Sequence, residues 1–364
     1  MNKIKRYYSH LLSIIKNVKM YYMVEASNWT TTWDGIRITE ALNQQKLIKA
    51  SIGLSTHLLR NKIIHYGSRP TLPFLGNEIL FPHQSNKSIL TWFHINPDYT
   101  PNPDKNKLLM VKKNIERFEY IHTSCTITKQ QLLDNGFPEE KIVIVPLGIN
   151  TKYFKPYSTE SRTSIRRSLG IPDNVYCIGS FQKDGAGWDL GMEPKMVKGP
   201  DIFCSTVKKI SEKYPVHCLL VGPSRGYVKS ELKKAGIPFT HRYSDKNKNM
   251  PEIELPNYYN ALDLYIISSR VEGGPLALLE SVACGIPLLT TNVGMAKDII
   301  ENGKNGYIAN GAKDIDEELT HLFENKIINI DRSVYEKNAV KLATRFDYKY
   351  IVKEYYNRIY SKLI

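Results

Sequence analysis

Arg270-Val271-Glu272-Gly273-Gly274-Pro275-Leu276-Ala277-Leu278-Leu279-Glu280-Ser281 is the stretch on which the reading of this chain turns. Just before it, Asp263-Leu264-Tyr265-Ile266-Ile267-Ser268 is short, apolar and rich in β-branched and aromatic residues, the composition of a buried strand. The glycines then make a turn, and the turn opens a helix. Pro275, with its φ pre-set and no amide to leave unpaired, suits the first helical position, with Leu276, Leu279 and Ala283 as the apolar stripe. Gly285 and Pro287 end the helix.

Strand, glycine turn and helix together form an anion site, because the amides of Gly273, Gly274 and Leu276 lie at the positive end of the helix dipole. Glu272 falls in the turn and Glu280 deeper, in the helix. The deeper carboxylate is placed to accept two hydrogen bonds from a ribose diol, and the shallower one lies near whatever the phosphates carry. Farther on, Ala283-Cys284-Gly285-Ile286-Pro287-Leu288-Leu289-Thr290-Thr291 reads as the next strand, and Glu301-Asn302-Gly303-Lys304-Asn305-Gly306-Tyr307 as a closing turn.

These residues closely resemble the glutamate-seven-residues-glutamate signature of the retaining glycosyltransferases of family 4, the glycosyl transferases group 1. The resemblance implies an α/β protein of the GT-B fold. Two Rossmann-like domains, 1–157 and 172–345, would face each other across a cleft, and a C-terminal helix, 346–364, would return to the first domain. It also implies a nucleotide-sugar donor. Family members carry an arginine and a lysine-glycine pair on the donor diphosphate, and Lys183 and Lys198-Gly199 stand at those places here. A lysine or Gln182 stands in place of the forked guanidinium, and the intervening loop, 184–197, is longer and holds Trp188. His94, after Thr91-Trp92-Phe93, resembles the family's histidine beside the donor sugar, and Gly35 its glycine loop after the first strand, with Asp34 where a second glycine is usual. Trp29 and Trp33 are candidates for stacking on a sugar or for core packing. By analogy with the family, the loop 241–249 carries base recognition.

Composition narrows the alternatives. With 364 residues, 42% apolar and 24% charged, the chain is long enough for two domains with their own cores. No apolar run approaches the roughly eighteen residues of a membrane span, and no secretory leader is read, so a cytoplasmic protein is expected. The five cysteines, 125, 177, 204, 218 and 284, lack metal or redox spacing and read as reduced core residues, which makes the sequon Asn28-Trp29-Thr30 incidental. A formal charge of +14 asks for an anionic partner, and with no zinc-finger, RNP or KH pattern nucleic acid is not expected. The first twenty residues carry Lys3, Lys5, Arg6, Lys16 and Lys19 without an acid, as a helix on anionic lipid at the inner face of the cytoplasmic membrane would, or an added helix packed on the domain.

Along the rest of the chain, strands are expected at 20–26, 62–66, 89–93, 120–125 and 175–179, and residues 157–168, poor in apolar side chains, read as the link between domains. Gly185-Ala186-Gly187 followed by Gly191 does not match a dinucleotide fingerprint, because Pro194 interrupts the helix that should follow. Asp314-Ile315-Asp316 reads as helix capping, with no metal expected. A single amphipathic helix is expected over 346–360.

The function expected is metal-independent, retaining transfer of a sugar from a UDP- or GDP-linked donor to a glycan or lipid-linked glycan. Glu272, His94 and Lys198 would be the catalytic residues, and Lys183, Lys198, Gly273, Gly274, Pro275, Leu276, Glu280 and Gly35 would hold the donor. The alternatives are a basic membrane- or nucleic-acid-docking module of the same fold without turnover, and a nucleotide-sugar epimerase.

Overall fold

The computed structural model describes residues 18–26, 30–95, 103–187, 189–243, 254–311 and 313–364. The basic segment up to residue 17, Asn28, Trp29, Trp188 and residues 244–249 of the expected base-reading loop lie outside them. The chain divides into two compact units, one running to Gly148 and including Phe346–Ile364, the other Ile149–Arg345. No helix among the described residues is long and apolar enough to cross a membrane.

In the first unit, β1 (Met20–Met23), β2 (Ala50–Gly53), β3 (Ile63–Tyr66), β6 (Lys87–Thr91), β7 (Tyr120–Thr123) and β8 (Ile142–Ile144) make one sheet in the order β2-β1-β3-β6-β7-β8. Every pairing in it is parallel. A small antiparallel hairpin, β4 (Phe74–Leu75) and β5 (Glu78–Ile79), stands apart from it. Parallel sheets need both faces covered. One face here is apolar, with Tyr21, Ile64, Leu90 and Ile121 in a single cluster.

The other face carries a buried polar row, Tyr22, His65, Thr91 and His122, one from each of four strands. The C-terminal segment covers it. His65 Nδ1 lies 2.7 Å from the Tyr360 hydroxyl and His65 Nε2 2.8 Å from Thr91 Oγ1. Thr91 Oγ1 lies 2.9 Å from His122 Nδ1, and His122 Nε2 2.9 Å from the Val145 carbonyl. A carbonyl can only accept, so His122 is protonated on Nε2 and takes the Thr91 proton on Nδ1. Thr91 therefore accepts from His65 Nε2, and His65 Nδ1 accepts from Tyr360. The chain of bonds closes with both imidazoles neutral.

Burial holds His65 well below its ordinary value, helped by His122, and brings His122 down to about 4. Nearby, burial pushes the Asp34 carboxyl up to about 7, against the opposing pull of the Tyr348 hydroxyl that donates to it at 3.0 Å. The signs differ. As pH falls below 6.5 the unfolded chain takes up two histidine protons that the folded unit refuses, so their contribution is lost on acidification. Asp34 keeps its proton in the folded unit up to about 7, whereas its ordinary value is 3.8, so its contribution is present in acid and lost as pH rises through that window. Asp34→Asn removes only the second effect. The unfolding free energy of the variant minus that of the wild type should climb by about 1.4 kcal/mol per pH unit between roughly pH 4 and 7. Denaturant titrations across that range check this, and a flat difference would refute it.

In the second unit, β9 (Tyr176–Ser180), β10 (Val216–Val221), β11 (Phe239–Arg242), β12 (Leu264–Ile267), β13 (Leu288–Thr291) and β14 (Tyr307–Ala309) are again all parallel, in the order β11-β10-β9-β12-β13-β14. The core joins Ile178, Cys218, Leu220, Leu264 and Leu289 to Phe203, Val207 and Ile210 of a covering helix.

Several sequence expectations need correction. Residues 157–168 are not a loose link: Thr159–Ser168 is a helix inside the second unit, with Ser158 Oγ accepting from the Ser161 amide at 3.3 Å. It packs through guanidinium groups instead of apolar side chains. Arg166 reaches Asp263 Oδ2 at 2.7 Å and the Pro172 and Val175 carbonyls at 2.9 and 2.8 Å. Asp314 does not cap by its side chain, and Asp316 instead accepts from Ser205 Oγ at 2.5 Å and pairs with Lys209 at 2.9 Å. The helix expected over 346–360 is present as Tyr348–Arg358, and a separate helix, Arg332–Phe346, precedes it. Between them Asp347 is extended, and its carboxylate accepts from the Lys349 amide at 2.9 Å.

Candidate active site

Sheet order locates the site. In the second unit the strand order reverses between β9 and β12, and the crevice past the carboxyl ends of such a pair is where open α/β sheets bind ligands. Leaving β9 the chain runs Phe181-Gln182-Lys183, and leaving β12 it runs Ser268-Ser269-Arg270-Val271-Glu272.

Two loops are stitched together at this crevice. The Arg270 amide donates to the Val197 carbonyl at 2.9 Å, and the Arg270 guanidinium grips Asp201 with two bonds of 2.8 and 2.6 Å. Gly199 makes the approach possible. Its φ is +60°, and a Cβ there would fall 1.8 Å from the Ser268 carbonyl oxygen. Gln182 Nε2 donates to the Lys198 carbonyl at 3.0 Å, which ties in the exit of β9. With the backbone held this way, Lys198 Nζ arrives 2.6 Å from Glu272 Oε1, and Ser269 Oγ donates to the same oxygen at 2.9 Å. The Glu272 side chain is only 14% exposed and that of Lys198 28%, so water screens the pair less than it would a surface pair.

The helix after the glycine turn is Leu276–Ala283, one residue shorter at its start than expected. Pro275 is extended, ψ 111°, and precedes the first turn instead of opening it. The buried face is Leu278, Leu279, Ser281, Val282 and Ala283, so Leu276 is not on the stripe. The turn leans on Gly294, where a Cβ would meet Pro275 Cδ at 2.8 Å and the Gly273–Gly274 peptide at 3.2 Å. Gly274 and Leu276 supply amides at the helix entrance, where the helix itself offers no partner. Glu280 accepts from the Tyr259 hydroxyl at 2.7 Å, so one of its oxygens already has a donor.

The remaining cations sit close by. Burial and the neighbouring Lys195 lower the pKa of Lys183. Lys195, which the sequence reading passed over, is itself lowered by the protein packed about it and by Lys198, while Glu272 opposes the shift. The structure thus brings Lys183, Lys195, Lys198 and Glu272 together, with Ser269 and Tyr259 as supports that no local pattern marked.

Two expected residues belong to the first unit. His94 is exposed, three residues beyond the end of β6, and its carbonyl accepts from Trp92 Nε1 at 3.0 Å. Gly35 is not in a loop. It lies within the helix Thr30–Gln44, where a Cβ would come 2.7 Å from the Tyr22 ring and 2.8 Å from Val24, so packing on β1 accounts for the glycine. Trp33 is half-buried beneath the Arg37 guanidinium, 5.9 Å from the ring centre.

Two parallel Rossmann-like units of this kind define the GT-B fold. Among solved structures, Anabaena Alr3699/HepE in complex with UDP-glucose superposes with a TM-score of 0.70 at 16% identity, covering 95% of this chain and 100% of that one. Sucrose-phosphate synthase from Thermosynechococcus elongatus gives 0.69 at 13%, covering 95% and 99%. Residues 194–342 match the model of the family Glycosyl transferases group 1. It is 28% identical over 180 residues to the D-inositol 3-phosphate glycosyltransferase of Corynebacterium jeikeium, spanning 47% of this chain and 40% of that protein. With the lipopolysaccharide core biosynthesis mannosyltransferase LpsB of Rhizobium meliloti it shares 28% over 165 residues, 43% and 42% of the two chains. The matched stretch is therefore less than half the length of either relative.

Proposed function

We propose that the chain is a retaining glycosyltransferase of the family 4 type. It takes a UDP- or GDP-linked sugar and passes it to a glycan or lipid-linked glycan, with cationic side chains in place of a metal. The observation that carries this reading is the Lys198–Glu272 contact of 2.6 Å at the strand-order reversal. A solved structure of the same fold is described as a complex with UDP-glucose, which supports a nucleotide-sugar donor.

On this reading the bond from the anomeric carbon to the phosphate oxygen breaks while the acceptor oxygen bonds to that carbon on the same face. The acceptor proton goes to the departing phosphate oxygen. Charge grows on the leaving diphosphate, and Lys198, Lys183 and the amides of Gly273, Gly274 and Leu276 stabilise it. Glu272 orients the sugar through a hydroxyl, and Glu280 holds the ribose.

Nucleotide-dependent thermal stabilisation tests the reading, since a ligand bound only by the folded state must raise the midpoint. One of UDP, GDP and ADP is expected to raise the Tm of the wild type. Glu280→Ala should weaken that nucleotide about 10- to 150-fold, the value of a hydrogen bond to a charged group. No shift with any of the three would refute the donor site, and an inverted anomeric configuration in the product, read by NMR, would refute retention.

A further inference from the structure

The loop 184–197 is long, yet its described residues are tied down at many points. At its root Asp184 Oδ2 and Arg225 Nη2 lie 3.0 Å apart, with both side chains inaccessible to water. Arg225 also donates to the carbonyls of Ser180 and Gln182 at 2.8 and 2.6 Å, which joins the root to the end of β9. Along the loop the Ala186 amide donates to the Glu193 carbonyl at 2.8 Å, and the amides of Gly226 and Tyr227 to the carbonyls of Leu190 and Gly191 at 2.7 and 2.9 Å. Gly185 and Gly191 press on the Ser224 carbonyl, where a Cβ at either would come within 2.3 Å.

The loop closes on its own beginning. The Lys195 amide donates to the Asp184 carbonyl at 2.7 Å, so Lys195 returns to the chain next to Lys183. A tight turn follows, with the Lys198 amide on the Lys195 carbonyl at 2.7 Å. Lysines at 183, 195 and 198 are thereby collected at one crevice although the sequence spreads them over sixteen positions. As a residue Lys195 is exposed. Glu272 is the carboxylate paired with this group, through Lys198. Burial is the larger cause of the lowered pKa of Lys183 and Lys195 and like charge the smaller, and an anion that enters relieves the second.

We infer that Lys195, delivered by the closed loop 184–197, is a third cation on the diphosphate of the nucleotide-sugar donor, taking up the phosphate charge that Lys183 and Lys198 leave. The inference rests on the donor reading above and deepens it. It explains how a site with a lysine in place of the forked guanidinium still matches a group carrying two phosphates.

Calorimetric titration of wild type, Lys195→Ala and Lys195→Arg with UDP, GDP and their parent nucleosides uridine and guanosine tests it. Lys195→Ala should bind the preferred diphosphate about tenfold more weakly. Its affinity for the nucleoside should be unchanged, and Lys195→Arg should restore most of the diphosphate affinity. Equal diphosphate affinity in wild type and Lys195→Ala overturns the inference and leaves the donor site standing. Parallel losses for diphosphate and nucleoside also overturn it, because they mark a residue that only shapes the loop. A wild type that binds none of the four overturns the donor reading itself.

Discussion

Lys198→Ala is expected to lower kcat for sugar transfer by about 10²- to 10³-fold, the cost of removing one preorganised group from developing charge. The proposed mechanism gives the side chain two roles in succession. Without a donor it neutralises Glu272 at 2.6 Å. With a donor bound, on the proposed mechanism, the same ammonium turns to the leaving diphosphate, and Glu272 turns to a sugar hydroxyl. Ser269 Oγ still donates to Glu272 in the variant, so the carboxylate keeps a partner and the fold should survive. Steady-state rates with the Tm measured alongside check this. A kcat within threefold of wild type would remove Lys198 from the chemistry. A collapse of Tm would make its role structural.

Arg225→Met should be the most destabilising single change in the second unit. It leaves Asp184 buried without its cation, a loss of about 3–5 kcal/mol, which for a unit of this size lowers the Tm by roughly 10 °C. The Ser180 and Gln182 carbonyls lose a donor at the same time. Asp184→Leu combined with Arg225→Met removes the stranded charge and should recover part of the loss, but not the part owed to those carbonyls. Calorimetry on the wild type, Arg225→Met, Asp184→Leu and the double variant decides it. Additive effects of the two single changes would mean that the pair is not coupled.

The parts of this protein that the sequence made legible are those whose cause is local. The strand at 264–267 was visible because four apolar residues stand together before a glycine turn. Glu272 and Glu280 stood out by their place around a helix start. Boundaries were less well marked, as at Pro275, where the same fixed φ serves a residue just outside the helix as well as one just inside it. β2 was missed because Ala50-Ser51-Ile52-Gly53 has neither length nor pattern, and it is a strand only because β1 lies beside it.

Other features have causes that lie far away along the chain. Arg225 sits in Pro223-Ser224-Arg225-Gly226, which reads as a polar surface turn, yet it is 1% exposed because Asp184 and two strand-end carbonyls surround it. His65 and His122 lie in strands that look ordinary, and their neutrality is set by hydroxyls from Thr91 and Tyr360. Gly35 and Gly199 looked alike as glycines near a ligand, but one packs a helix on a strand and the other lets two loops meet. By itself, then, the sequence determined the alternation of strands and helices, the strand–turn–helix element and its two carboxylates, because propensity, periodicity and turn chemistry act over a few residues. Tertiary structure alone decided that Lys195 joins Lys183 and Lys198, that Lys198 meets Glu272, and that a buried ion pair holds the loop between them, because those contacts depend on which distant segments the parallel sheet brings to the same end.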